Sequence, residues 1–489
     1  MKRRSLGMNT GLNVIRTLLT MLFPVITFSH ISNIFSVDTV GGYSFANGTA
    51  GYFIMFAALG ISTYAVREGV AYRNDFVRMS EFGSQIFTIN LVSTVIAYAL
   101  LGISVFVVPK FAECRTLLLI LSVNIILMTL GCDWVHMIYE DFLFITIRTI
   151  IIYLLALLLF FLLVQTPEDL YAYAWITVLA TSGAQLLNIP ARRKYCRILP
   201  TALGKTRHHL KPILILFANT VTTSLYVNSD LLILGFMRSD YEVGLYSVTV
   251  KIYMLFKALL GAAITVITPR LSALQQEVDP EAFAEAAGKI LRTLVTVLLP
   301  VATGILFLDE PLILLISNEQ YLGGLPSLHW LGGALVVSII GWFMTACILI
   351  PAKQDGSVLK ITMLAAALNV GLNLILIPMM GFVAAAITTL LSEGIACILG
   401  CVKARKIMNL KNLFPIRFII AVFAGCAGVA GMCLLTRALD AGPLISAGVS
   451  FLAAMPVYAG ITTFLGNEEA IDALNRGVSM LLAKEDTEK

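Results

Sequence analysis

An aspartate stands in a run otherwise built for hydrocarbon: "YVNSDLLIL", Tyr226 to Leu234, with Asp230 inside it. The stretch from Pro212 to Met237 is long enough to cross a bilayer. A carboxylate there costs about 2.5–3.5 kcal/mol on a lenient insertion scale, so it needs a partner or a task. The next apolar run carries two cations, Lys251 and Lys257. Asp230 and Lys251 are equidistant from the turn "RSDYEVG", which places them at matched depth. Opposite charges at one depth can neutralise each other and lower the cost of burying both. The alternative is that each snorkels from the outer end.

Lys257 is placed differently. It lies near the middle of its span, about 20 Å from either end at helical rise, and no carboxylate stands at its depth in the neighbouring span. Such a lysine reads as facing water or an anionic ligand. Glu393, mid-span in "TTLLSEGIACILG", is open to two readings, a partner for Lys257 or a site for a coupling ion. A second matched pair, Asp133 and Arg148, flanks the turn at Glu140-Asp141, with His136 one helical turn from Asp133. It can be a cluster that opens and closes, a proton relay, or a static structural pair. Arg16, Arg67 and Arg270 sit near inner span ends, where they either line a cavity or anchor lipid phosphate.

None of these residues falls into a catalytic pattern. The chain lacks GxxxxGK, so it is not itself an ATP-driven pump, and it lacks HExxH and GxSxG. The longest connection placed outside, "DEPLILLISNEQYLGGLP", is too short for a catalytic domain. That weighs against a membrane glycan polymerase. Eight cysteines form no CxxC pair and no Cys/His metal spacing, so neither a disulfide framework nor a zinc site is expected. Basic runs are short and sit between apolar spans, which gives no footprint for nucleic acid.

The elements that must position these charges are membrane helices. The chain is 58% hydrophobic and 13% charged, against about a quarter charged for a soluble domain. The expected fold class is an all-α polytopic membrane protein with about 14 transmembrane helices. They run over approximately 9–30, 44–65, 82–108, 116–138, 142–164, 170–190, 212–237, 244–269, 290–308, 327–350, 358–378, 381–402, 416–436 and 443–465. The basic start and apolar run of the N-terminus lack a cleavage site of the A-x-A kind and read as a retained first helix. With the N-terminus inside, 25 of the 34 Lys and Arg residues fall in inside segments and 4 in outside loops. That asymmetry places both termini in the cytoplasm. The most basic loop, "ARRKYCRILPTALGKTRHHLK", reads as the hinge between two halves.

The halves are related. Shifted by 203 residues, "VGGYS" (40–44) falls on "VGLYS" (243–247), Phe53 on Phe256, Ile61 on Ile264 and Arg67 on Arg270. Both copies start on the same side, so the repeat is parallel, and parallel repeats place substrate between them near the midplane. The expected organisation is a six-helix lobe over 1–200, a second over 201–410, and two extra helices with a tail over 411–489.

Three segments carry a family resemblance. "TLLTMLFPVITFSHISNIFSVDTVGGYSFANGTAGYFIMFAALGISTYAVRE" resembles the amino-terminal helix pair of bacterial oligosaccharide flippases, the polysaccharide transporter family. "DWVHMIYEDFLFITIR" is similar to its fourth-to-fifth span junction, and "SDLLILGFMRSDYEVGLYSVTVKIYMLF", followed by "TPRLS", to its seventh and eighth spans. The sequence departs from that pattern at Asn33, where the family often has arginine, and at Met137-Ile138. The resemblance implies a flippase for an undecaprenyl-pyrophosphate-linked oligosaccharide in the bacterial cytoplasmic membrane. It would work by alternating access, in a pathway shared with glycosyltransferases and a polysaccharide polymerase. It implies no cofactor beyond a possible coupling proton or sodium ion, and as partners the lipid-linked glycan, membrane lipids and the polymerase and glycosyltransferases of that pathway. An ion-coupled multidrug exporter of the same fold is the alternative.

Overall fold

The computed structural model describes residue 20 and residues 22–276, 280–410, 413–438, 442–472 and 475. Arg16 lies outside them. The described residues are almost wholly helical and contain no strand. Among the described residues, eleven helices are long and apolar enough to cross a membrane. They account for all but the first, fourth and sixth expected spans. Of the first, the described part is an apolar helix, α1 (Leu22–Ile34), and its beginning lies outside the described residues. The fourth is α6 (Arg115–Gly131), which ends at Cys132 in a left-handed conformation and is followed by the short α7 (Trp134–Ile138). The sixth is α9 (Leu170–Val178), a π-helical turn over Leu179–Gly183, then α10 (Ala184–Ala191).

By packing, the chain divides into two compact units, Met1–Gly244 and Leu245–Lys489. In the first, α2 (Val37–Ala58) starts earlier than its apolar run implies, because the Ser36 side chain caps it by accepting from the Thr39 amide. After a left-handed Leu59-Gly60 step the chain continues as α3 (Ile61–Gly69). Asp75 caps α4 (Phe76–Val107) through the amides of Val77 and Arg78. A short α5 (Pro109–Glu113) leads to α6, and α8 (Phe142–Leu163) follows α7. α2 packs against α4, α6 and α11 (Arg207–Met237), and α11 also meets α3. An apolar core of Ile61, Ala65, Met79, Phe82, Trp134 and Ile138 ties α3, α4 and α7 together.

Where α2 begins, it meets the start of α12 (Asp240–Gln276) at backbone contact. A Cβ on Gly41 would fall on the Asp240 carbonyl, and one on Gly244 would fall on the Val37 carbonyl. These four residues are repeat equivalents, 37 with 240 and 41 with 244, so the contact is reciprocal. Beside it, Lys110 Nζ lies 2.8 Å from Asp240 Oδ1 and 3.3 Å from Glu113 Oε2. Burial would lower the Lys110 pKa, but the Asp240 and Glu113 carboxylates win and raise it.

The second unit contains α13 (Pro280–Phe307), α14 (Asp309–Ile316), α15 (Leu325–Phe343), α16 (Asp355–Met380), α17 (Phe382–Ala404), α18 (Ile416–Ala438) and α19 (Pro443–Phe464). α15 and α16 both pack on α17, α13 packs on α15 and α18, and α18 pairs with α19. The α16–α17 hairpin turns on Gly381 alone, at φ 64° and ψ −146°, a conformation that a side chain resists. The α18–α19 pair is fastened at both ends. Arg437 pairs with Asp309 and Glu310 of α14, and Asp309 Oδ2 also lies 2.6 Å from His329 Nε2. At the other end, Arg292 of α13 pairs with Glu469, and Lys289 Nζ lies 2.7 Å from Asp472 Oδ2.

Candidate functional site

Two clusters around buried charges lie mid-chain, one in each unit, apart from the Asp309 and Glu469 pairs at the ends of the α18–α19 hairpin and from Asp230. In the second unit, Lys257 of α12 is paired. Its Nζ lies 2.6 Å from Glu393 Oε1 on α17 and donates to the Tyr253 hydroxyl at 3.1 Å. Lys257 and Tyr253 are one turn apart on the same face. Only 20% of the lysine side chain and 11% of the glutamate side chain are exposed, so the pair is largely withdrawn from solvent. Of the two readings open for Glu393, the geometry realises the pairing with Lys257; the neighbouring span supplies no carboxylate, and the partner comes from a position 136 residues away.

Glu393 adjoins a buried chain of neutral polar groups between α16 and α17. Asn369 donates to Ser392 Oγ at 3.4 Å, Asn373 to Asn369 Oδ1 at 3.1 Å, and Thr388 Oγ1 to Asn373 Oδ1 at 2.5 Å. All four side chains are buried. The pattern is legible in sequence, since Asn369/Asn373 and Thr388/Ser392 are i,i+4 pairs on two helices joined by a tight turn.

In the first unit, Arg148 and Asp133 meet, as their equal distance from the turn implies. Arg148 is 4% exposed, and its Nη1 donates to the Ala184 carbonyl at 2.9 Å. Asn188 Nδ2 donates to the same Asp133 oxygen at 3.2 Å and to Gln185 Oε1 at 2.9 Å. The π-helical turn just before Ala184 lies against α8, within reach of the arginine. His136 does not join the cluster by hydrogen bond. Neither ring nitrogen has a partner, and the ring packs against Phe144 and Tyr195. The nearest acid is Asp141, 3.7 Å from Nδ1. Burial would raise the Asp141 pKa, but hydrogen bonds from Lys194 at 2.8 Å and Tyr195 at 2.7 Å hold it below its usual value.

The other candidates are dispersed. Asp230 is buried in α11 of the first unit, and Lys251 is half-buried in α12 of the second. Arg67 is exposed and paired with its neighbour Glu68 at 3.0 Å. Arg270 is exposed and makes no ion pair among the described residues. Sequence reasoning missed His209, buried between Tyr64 Oη at 2.7 Å and Gln85 Oε1 at 2.8 Å. It also missed the Lys110–Asp240 pair. The first of these residues was taken for a loop cation and the second for part of a turn.

These features are a helical membrane bundle with buried ion pairs and no catalytic constellation among the described residues. A family model described as polysaccharide biosynthesis protein matches residues 6–275, more than half of the chain. The chain belongs to this family. It is 22% identical over 256 residues to a putative O-antigen transporter of Shigella dysenteriae, and 24% identical over 255 residues to one of Escherichia coli (strain K12). The matches cover 52% and 51% of the chain and 64% and 61% of those relatives, less than two thirds of their own length. Among solved structures, it is similar to a lipid II flippase MurJ in an inward closed conformation. The TM-score is 0.72 at 15% identity, over 94% of this chain and 98% of that one. It is also similar to an inward-facing multidrug resistance MATE family transporter of the MOP superfamily. That TM-score is 0.60 at 15% identity, over 80% of this chain and 94% of that one. The fold of this polysaccharide biosynthesis family member is therefore that of an all-α, multi-pass membrane transporter.

Proposed function

We propose that this member of the polysaccharide biosynthesis family is a flippase. It moves an undecaprenyl-pyrophosphate-linked oligosaccharide across the bacterial cytoplasmic membrane, and it does so without catalysis. The observation that carries this is the buried Lys257–Glu393–Tyr253 cluster inside a membrane bundle of this family. A pyrophosphate needs cations along its path, and a glycan needs a polar lining, while the polyprenyl tail can stay in lipid. Transport proceeds by alternating access of the lobes over 1–200 and 201–410, with the helices over 411–489 as an addition to the second. A proton or sodium gradient, or the membrane potential, supplies the energy, and Glu393 is the acid best placed to feel an ion. Glycosyltransferases and a polysaccharide polymerase of one pathway are the natural partners. Deleting the gene in its host is expected to accumulate lipid-linked glycan on the inner leaflet and lower surface polysaccharide. Normal levels of both would reject the flippase reading.

The likeness to the multidrug transporter favours a second reading, ion-coupled export of small molecules. In that case deletion changes drug susceptibility and leaves surface glycan intact.

The orientation with both termini cytoplasmic is tested by cysteine labelling in intact cells. Thiols engineered at Gln165 and Asn318 are expected to react with an impermeant reagent from outside, and one at Lys205 only after permeabilisation. Labelling at Lys205 from outside inverts the topology. The matched depth of Asp230 and Lys251 makes a further claim. Asp230→Asn and Lys251→Met should each lower folded protein in the membrane, and the double change should recover it. A double variant no better than the singles means the two charges serve separate roles.

A further inference from the structure

Between α10 and α11 the chain runs across the face of α4, held backbone to side chain. The amides of Arg197, Leu199 and Thr201 donate to Ser80 Oγ (2.9 Å), Ser84 Oγ (3.2 Å) and Thr88 Oγ1 (2.9 Å). The match is one of spacing. Two residues of extended chain advance about 6.6 Å, and four residues of helix about 6 Å, so alternate amides meet hydroxyls one turn apart. Cys196 and Ile198 turn inward and are buried. A Cβ on Gly83 would come within 3.2 Å of Ile198, so the glycine lets this strap lie close. The strap is pinned along α4 by these three hydrogen bonds.

Its other face is left open. Arg197, Lys205, Arg207 and Lys211 are exposed, and none makes an ion pair among the described residues, whereas Lys194 is held by Asp141. Leu199 and Leu203 stand among them at 69% and 58% exposure. From Leu170 to Ser229 the chain has no Asp or Glu. The strap leaves the end of one expected span and enters another, so it runs along a membrane surface.

We propose that this strap is a binding surface for acidic phospholipid headgroups, with Leu199 and Leu203 seated at the boundary between headgroups and acyl chains. Unpaired cations beside a membrane helix attract anionic lipid, and apolar side chains interleaved with cations favour the interface over water. The hydroxyl ladder fixes the strap beforehand, so little ordering entropy is lost on binding. The proposal is independent of what the chain transports.

The test uses the full-length protein in nanodiscs of phosphatidylcholine, with or without phosphatidylglycerol. Retained lipid is counted by native mass spectrometry. Wild type is expected to retain phosphatidylglycerol over phosphatidylcholine. The combined Arg197→Gln, Lys205→Gln, Arg207→Gln and Lys211→Gln variant should lose about tenfold or more in that preference. Leu199→Ser with Leu203→Ser keeps every charge, and it should also weaken retention. Equal retention of the two lipids by wild type overturns the proposal, as does an unchanged preference in either variant. A third arm adds inorganic phosphate: complete displacement of phosphatidylglycerol by the free ion would mean that the strap reads phosphate and not a lipid surface. Hydrogen exchange over residues 195–206 gives a readout that does not depend on lipid counting. Its amides should exchange more slowly with phosphatidylglycerol present, and no change would count against the proposal.

Discussion

Lys257→Met is expected to lower the amount of folded protein in the membrane severalfold, and Lys257→Met combined with Glu393→Gln to restore most of it. The lysine sits 2.6 Å from Glu393 in a largely buried setting. Removing one member of such a pair leaves the other charge behind, which costs about 3–5 kcal/mol, whereas removing both can be nearly neutral. Without the structure the expectation runs the other way, because an unpaired cation deleted from mid-membrane should leave abundance unchanged or higher. Fluorescence size-exclusion profiles of the singles and the double form the cycle, and surface glycan in a deletion strain is the second readout. Recovered abundance with lost glycan separates transport from folding. Lys257→Arg keeps the charge and should retain part of both. Singles as abundant as wild type would show that the contact contributes no stability.

The second large effect is expected at the crossing of α2 and α12. Gly41→Val should strongly reduce folded protein, and so should Gly244→Val, because each side chain would have to occupy the space of a backbone carbonyl, that of Asp240 or Val37. Overpacking a well-filled site costs about 1–3 kcal/mol where side chains can shift, and here the neighbour is main chain. The helix starts would have to separate, stretching the Lys110–Asp240 pair beside them. Gly48→Ala is the control: it is on the same helix with nothing within 4 Å of the added Cβ. It should be neutral or slightly stabilising, since alanine favours helix over glycine by about 1 kcal/mol. Melting of the purified variants measures all three. If Gly41→Val melts with Gly48→Ala and wild type, the helix starts do not touch as described.

The crossing also explains what the repeat recorded. "VGGYS" and "VGLYS" share their glycine at 41 and 244 because those two positions meet the partner helix at backbone distance. Eleven of the fourteen expected spans and the Asp133–Arg148 pair were readable for a related reason. Apolar runs and equal distances from a short turn are local quantities. The Lys257–Glu393 pair was not readable with certainty, because nothing local specifies which face of α12 meets which face of α17. The strap was hidden differently. Its anchors, Ser80, Ser84 and Thr88, are spaced one turn apart within α4, and their acceptor role appears only once the loop is laid along them.

The fastening of α18 and α19 has a consequence for biosynthesis. Lys289, Arg292, Asp309 and Glu310 leave the ribosome well before Arg437, Glu469 and Asp472, the residues that neutralise them. During that interval α13 and α14 carry charges with incomplete partnerships beside apolar surface, and the arrival of the last two helices settles both ends together. A chain that stops before residue 437 therefore leaves Lys289, Arg292, Asp309 and Glu310 without these ion-pair partners. The residues from Arg437 to Asp472, and not α13 and α14 alone, complete these pairs in the second unit.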